Sequence, residues 1–210
     1  MMNFNFNVAE LLFALPELFL LFAISLILLF DLFVSQRLKQ FTYYLTQIAL
    51  LITGFLAFNL IGENATIFSG TFVLDSLGST FKVFILGFAI IALVYTRHYL
   101  KAHELLRNEY FILAMMSILG MMVMVSGHSL LTLYLGLEIM SLSLYALIAT
   151  ARDRASAIEA ALKYFVLGAI ASGLLLYGMS MIYGISGSLD ISQISSFASA
   201  STLGSQQTLI

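Results

Sequence analysis

Charge, cysteine, proline and tryptophan are scarce in this sequence. Only 10% of its 210 residues are charged, against about 25% in a soluble domain. The hydrophobic share is 61% and mean hydropathy is +1.02, so an ordinary water-soluble globule is excluded. The chain has no cysteine, which rules out disulfides, thiolate metal sites, iron–sulfur ligation and a cysteine nucleophile. It has no tryptophan and one proline, Pro16. A formal net charge of −2 leaves no basic surface for nucleic acid. Neither a glycine-rich phosphate loop, a Ser/His/Asp arrangement nor a haem or zinc ligand set is present.

What is there is a series of long apolar runs. A spanning helix needs roughly 20 mostly apolar residues. Six segments meet this, at 11–33, 41–61, 77–96, 110–126, 129–149 and 157–184. The reading is an all-α polytopic transmembrane bundle over 1–184, since backbone in lipid must satisfy its own hydrogen bonds. The first run lacks the basic flank and cleavage site of a signal peptide and is expected to be retained. Pro16 suits the first turn of its helix, and Glu17 the positive end of the helix dipole. Ser156 and Glu159 have the spacing of a capping box, placing the start of the last helix near Ser156. Residues 185–210 form a second region rich in Ser and Gly. It is expected to be a loop with one short surface helix capped by Asp190, and Thr208–Ile210 returns to apolar character at the threshold of a seventh span.

Arg37, Lys39, Arg97, Lys101, Arg107, Arg152 and Arg154 all fall in alternate loops, those after spans one, three and five. The N-terminus and the remaining loops carry no Lys or Arg. The positive-inside rule therefore predicts the N-terminus outside.

Charged groups inside spans are costly and usually functional. Glu138 lies near the middle of the fifth span. Tyr134, Glu138, Ser141 and Tyr145 are spaced 4, 3 and 4 apart and share one helix face. The competing reading is a carboxylate that only joins helices by hydrogen bonding. Lys163 is expected to approach Glu138 across the interface, or else to pair with Glu159 one turn away and snorkel. Lys82 is expected to snorkel outward near Asp75. Asp31 closes the first span and has Arg37 as its candidate partner. His98, His103 and His128 read as interfacial residues, and Met121, Met122 and Met124 as adaptable packing. Gly168 with Ser172, and Ala169 with Gly173, form small-xxx-small pairs that permit close helix approach.

The run ILAMMSILGMMVMVSGHSLLTLYLGLEIMSLSLYALIATARDRASAIEAALKYFVLGAIASGLLLYGMSMIYGISGSL, residues 112–189, closely resembles the subunit N family of the proton-pumping NADH:quinone oxidoreductase, respiratory complex I. LPELFLLF near the start and LDSLGSTFKVFIL at 74–86 resemble it too. The resemblance implies an antiporter-like membrane subunit that moves protons and does no redox chemistry. It implies no cofactor in this chain: NADH, FMN, iron–sulfur clusters and quinone would belong to other subunits. The implied partners are other membrane subunits of that complex and the lipid bilayer. The absence of a targeting segment fits a bacterial inner membrane, with the mitochondrial inner membrane as the lesser alternative. Glu138 in YLGLEIMSLSLY and Lys163 in AALKYFVLGA match the family's proton-handling Glu and Lys. Tyr134, Ser141, Tyr145, Glu159, Lys82 and Asp31 are candidate supporting residues. The family usually has fourteen helices, and six here would be an N-terminal portion. The alternatives are a cation/proton antiporter subunit of the same fold, or a truncated scaffold without activity.

Overall fold

A computed structural model describes residues 8–33, 39–103, 105–151 and 153–207, with side chains over 10–33, 41–103, 105–151 and 153–200. The elements are α1 (Val8–Phe13), α2 (Leu15–Phe33), α3 (Lys39–Asn59), β1 (Ala65–Ile67), β2 (Phe72–Leu74), α4 (Ser76–Ala102), α5 (Asn108–Ser126), α6 (Leu130–Ile148), α7 (Ala155–Ser186) and α8 (Ile191–Gln207). Among the described residues, six helices are long and apolar enough to cross a membrane: α2 to α7. The six expected runs are therefore the six observed helices, with shifted ends.

The shifts have local causes. The first span begins at Leu15, because Pro16 has no N–H to bond back one turn and disfavours helical backbone before it. That separates α1 from α2. Helix α4 runs to Ala102, past the apolar stretch, because Arg97 lies over the rings of Tyr43 and Tyr44, 4.2 and 5.2 Å from their centroids. Helix α7 begins at Ala155 with Arg154 as N-cap and no side-chain cap bond. The expected capping box is not formed: Ser156 is already inside the helix, and Glu159 instead pairs with Lys163.

The core lies between α2, α3, α4 and α5, around Leu20, Ile24, Leu50, Leu86, Phe111 and Met115. Helix α6 packs chiefly on α5. The approach is close because glycines face each other: a Cβ on Gly120 would lie 2.5 Å from Met140 N and 2.6 Å from Gly136 O. Met122 is fully buried in the core, as expected of adaptable packing.

All the connections at one end of the bundle touch. β1 and β2 form an antiparallel hairpin with Ala65 opposite Leu74 and Ile67 opposite Phe72. Its turn carries positive φ at Phe68 (52°), Ser69 (57°) and Gly70 (90°). The Phe68 N–H donates to Glu10 Oε2 at 3.2 Å, which ties the turn to α1. Phe72 then bridges to Gly127 between α5 and α6, and Ser129 bridges to Asp190 between α7 and α8. We call this the hairpin end. At the opposite, basic end, Arg107 pairs with Asp153 and joins the loop before α5 to the loop before α7. Helix α8 is longer than the short surface helix expected, at 17 residues, and Asp190 does cap it.

Candidate functional site

Glu138 sits eight residues into the 19-residue helix α6, about 12 Å along a helix of about 28 Å. It is therefore near mid-membrane, half-buried, on the side of α6 that meets α7. Its carboxylate Oε1 accepts from the Ser172 hydroxyl of α7. Ser172 Oγ is in turn 3.0 Å from the Tyr134 hydroxyl, one turn before Glu138. The three groups form one chain, Tyr134–Ser172–Glu138, bridging two helices. An ionised Glu138 can only accept, so Ser172 donates to it and Tyr134 donates to Ser172. When Glu138 is protonated it can donate to Ser172, and both hydroxyl hydrogens can then turn the other way. Such a chain can pass a proton along the helix interface.

Further along the same stripe, Tyr145 packs edge-on against Tyr164 (5.1 Å) and Phe165 (5.6 Å) of α7. Its hydroxyl occupies the space where any side chain at Gly168 would begin, 2.0 Å from a Cβ there. Gly168 is thus the notch that seats Tyr145. Ser141 is half-buried on the same stripe.

Lys163 stands elsewhere. Its Nζ is 2.6 Å from Glu159 Oε1, and the two side chains are 71% and 67% exposed. Lys163 and Ser172 are nine residues apart, about 180° around a helix. The face of α7 that reaches Glu138 therefore points away from Lys163.

Lys82 does not snorkel outward. It is 1% exposed, and its Nζ lies 2.5 Å from Glu17 Oε1 on α2 and 5.0 Å from the centre of the Phe72 ring. The reach outward is closed because the hairpin and the start of α2 cover that part of α4. Glu17 had read only as a companion of the helix dipole. The missing signal is a tertiary one, since 65 residues separate the two charges in sequence.

Asp31 accepts from Thr42 Oγ1 at 2.9 Å and from the side-chain amide of Asn108, so it links α2, α3 and α5. Arg37, its candidate partner, lies outside the described residues. An open groove of about 640 Å³ runs up from the basic end beside Asp31, Glu109, Ile112, Ala146 and Thr150. At the hairpin end the His128 backbone joins Thr71 and Ile191, while His98 and His103 bond to carbonyls one turn back on α4.

A multi-helix bundle with a hydrogen-bonded carboxylate at mid-depth is a polytopic membrane protein with a polar site inside its spans. Residues 127–210 match the transmembrane family described as NADH:quinone oxidoreductase/Mrp antiporter. The whole chain is 66% identical to NADH-quinone oxidoreductase subunit N of Ruthia magnifica subsp. Calyptogena magnifica, covering 44% of that protein. Over 92% of its length it is 50% identical to the subunit N of Halorhodospira halophila, covering 40% of it. Among solved structures, 84% of the chain superposes on 38% of a chain in respiratory complex I from Thermus thermophilus with bound aureothin (TM-score 0.69, 27% identity). It also superposes, over 91% of its length, on 40% of a chain in the membrane-bound sulfane sulfur reductase, an archaeal respiratory membrane complex (TM-score 0.71, 25% identity). The chain belongs to the NADH-quinone oxidoreductase subunit N family and corresponds to an N-terminal portion of it. It spans less than half the length of these curated relatives. With six apolar spans and bacterial relatives, it is a multi-pass protein of the inner membrane.

Proposed function

We propose that this chain forms part of a proton-translocating membrane subunit of NADH:quinone oxidoreductase, with Glu138 as the titrating group. The observation that carries this reading is the Tyr134–Ser172–Glu138 chain at mid-membrane. Protons would approach from the basic end, where the groove beside Asp31 and Glu109 reaches Ala146, next to Tyr145. The chain would hold no cofactor. NADH, FMN, iron–sulfur clusters and quinone would act in other subunits, and charge movement there would drive Glu138 between its ionised and neutral forms. By the basic-loop asymmetry, the basic end would lie inside and the hairpin end outside.

Lys163 is the second proton-handling group in this reading. It faces away from α6, so it would act toward whatever covers the outer face of α7. Helix α7 is almost wholly exposed, with Ala161 its one buried residue among those described. Further membrane segments and neighbouring subunits of the complex would pack there.

The test is Glu138→Gln in the assembled complex. It keeps size and hydrogen bonding but cannot titrate. Proton pumping per electron pair should fall sharply with assembly retained, and normal pumping would return Glu138 to a helix-joining role. The matched family also includes Mrp antiporters, which favours sodium/proton exchange as the second reading. Activity that follows sodium, and not NADH and quinone, would select it.

A further inference from the structure

The hairpin end holds a second set of buried polar groups that the Glu138 chain does not use. Glu17 and Lys82 are 6% and 1% exposed. Apart from their mutual contact, neither Glu17 oxygen nor Lys82 Nζ has a hydrogen-bond partner among the described residues. A carboxylate and an ammonium have many more bonding positions than one contact fills. Ser79, one turn before Lys82 on α4, is 1% exposed, and its hydroxyl also has no partner. Ser126 at the end of α5 is 2% exposed and in the same condition. Phe72 connects these groups: its ring lies under Lys82, and its backbone bridges to Gly127, the residue after Ser126.

Dry burial of such a set is expensive, because an ion pair offsets its desolvation only when its remaining donors and acceptors are also satisfied. Buried polar groups of this kind are satisfied by ordered water, which typically makes about three hydrogen bonds. A site with four polar side chains from three helices has the donors and acceptors to hold it. The site lies further toward the hairpin end than Glu138. Gly120 of α5 rests against Gly136 and Met140, which flank Glu138 in sequence. Ser126 is six residues further along α5, about 9 Å toward the hairpin end.

We infer that Glu17, Lys82, Ser79 and Ser126 form a hydrated proton-relay site on the hairpin side of Glu138. The inference rests on the proton-translocating reading above and adds the segment between mid-membrane and the hairpin face. The step balances without a further reactant. A proton moves from the Lys82 ammonium to the Glu17 carboxylate, breaking one N–H bond and forming one O–H bond, and the pair becomes neutral. The Lys82 amine then takes a proton arriving through water from the mid-membrane side. Glu17 releases its own to water at the hairpin face, and the ion pair is restored. The other titratable groups near this end are engaged or peripheral. Asp75 caps α4 by accepting from Gly78 N at 2.7 Å, Glu10 accepts from Phe68, Asp190 caps α8, Glu63 is exposed in the loop before β1, and His128 lies in the loop beyond α5.

A purely structural ion pair makes a different forecast, and the double variant Glu17→Gln/Lys82→Met separates the two in the assembled complex. It removes both charges together, so no unpaired charge is left buried. The relay predicts normal assembly and electron transfer with most proton pumping lost. Normal pumping in the double variant overturns it. Glu138→Gln is measured alongside: loss of pumping there with none in the double variant rejects only the relay, while normal pumping in both rejects the proton-translocating reading itself. Hydration is tested separately in Ser79→Cys, a near-isosteric change in a chain without other cysteine. In D₂O the S–H infrared band of that thiol should convert promptly to S–D with the membrane-embedded protein intact. A persistent S–H band shows a dry site and overturns the relay even where the double variant does not assemble.

Discussion

Glycines at the α5–α6 and α6–α7 contacts illustrate how much a single missing Cβ decides. Gly120 faces backbone atoms of α6 at under 3 Å from its would-be Cβ, and backbone cannot rotate away. Gly173 faces open space. Gly120→Ala should therefore destabilise the extracted protein by about 1–3 kcal/mol, the usual cost of overpacking. Gly173→Ala should leave thermal unfolding unchanged or slightly raised. Equal melting temperatures for the two variants would contradict the close α5–α6 contact. Lys163 is a second case. Its pair with Glu159 is exposed and worth only about 0.2–0.5 kcal/mol, so neither partner matters much to folding. Lys163→Ala should lower pumping while Glu159→Gln does not. Equal pumping in Lys163→Ala and the unmodified chain would leave Lys163 an interfacial anchor.

Helices in this bundle start and stop where their end groups find partners. Asp190 holds the start of α8 by accepting from the backbone of Ser192 at 2.8 Å and of Gln193 at 3.1 Å, and from the Ser192 hydroxyl. The Ser192 hydroxyl first, then the backbone donors, hold the carboxyl pKa below its ordinary 3.8. A lowered carboxyl pKa means that the cap is fully present above the unfolded value and is lost as pH falls through the folded one. Protection factors of the Ser192 and Gln193 amides should thus stay constant above pH about 5 and drop below the ordinary carboxylate range. Asp190→Asn caps without titrating and should remove that dependence. Helix α7 shows the opposite case: Arg154 gives it no side-chain cap, and its 32 residues extend well beyond a hydrocarbon core of about 30 Å.

The whole molecule is a four-helix core, α2 to α5, with α6 laid against α5 and α7 against α6. Its two ends differ in construction. The hairpin end is tied by backbone bridges among three connections. The basic end carries the Arg107–Asp153 pair and the Asp31 junction. Orientation is testable directly, because the chain lacks cysteine. Single cysteines placed at Gly62 and Ser188 should react with an impermeant thiol reagent added outside intact cells, and one at Arg154 should not. Labelling at position 154 instead would invert the assignment.

Hydropathy and spacing determined the six spans, the alternation of basic loops, the Asp190 cap and the polar stripe Tyr134–Glu138–Ser141–Tyr145. These are legible because lipid imposes run length and helical period on the sequence itself. The hairpin over 65–74 was not legible, since three-residue strands carry too few alternations to stand out. The capping box was legible but false: the pattern S-x-x-E is local, and Glu159 found a better partner in Lys163 one turn on. Ser172 read as a small residue for close packing, and only its placement opposite Glu138 made it a hydrogen-bond donor. Glu17 and Lys82 show the limit most plainly. Each alone fits a surface role, the dipole for one and snorkelling for the other. Tertiary structure closes the hairpin over both and leaves them only each other, because a charge buried away from water must be paired.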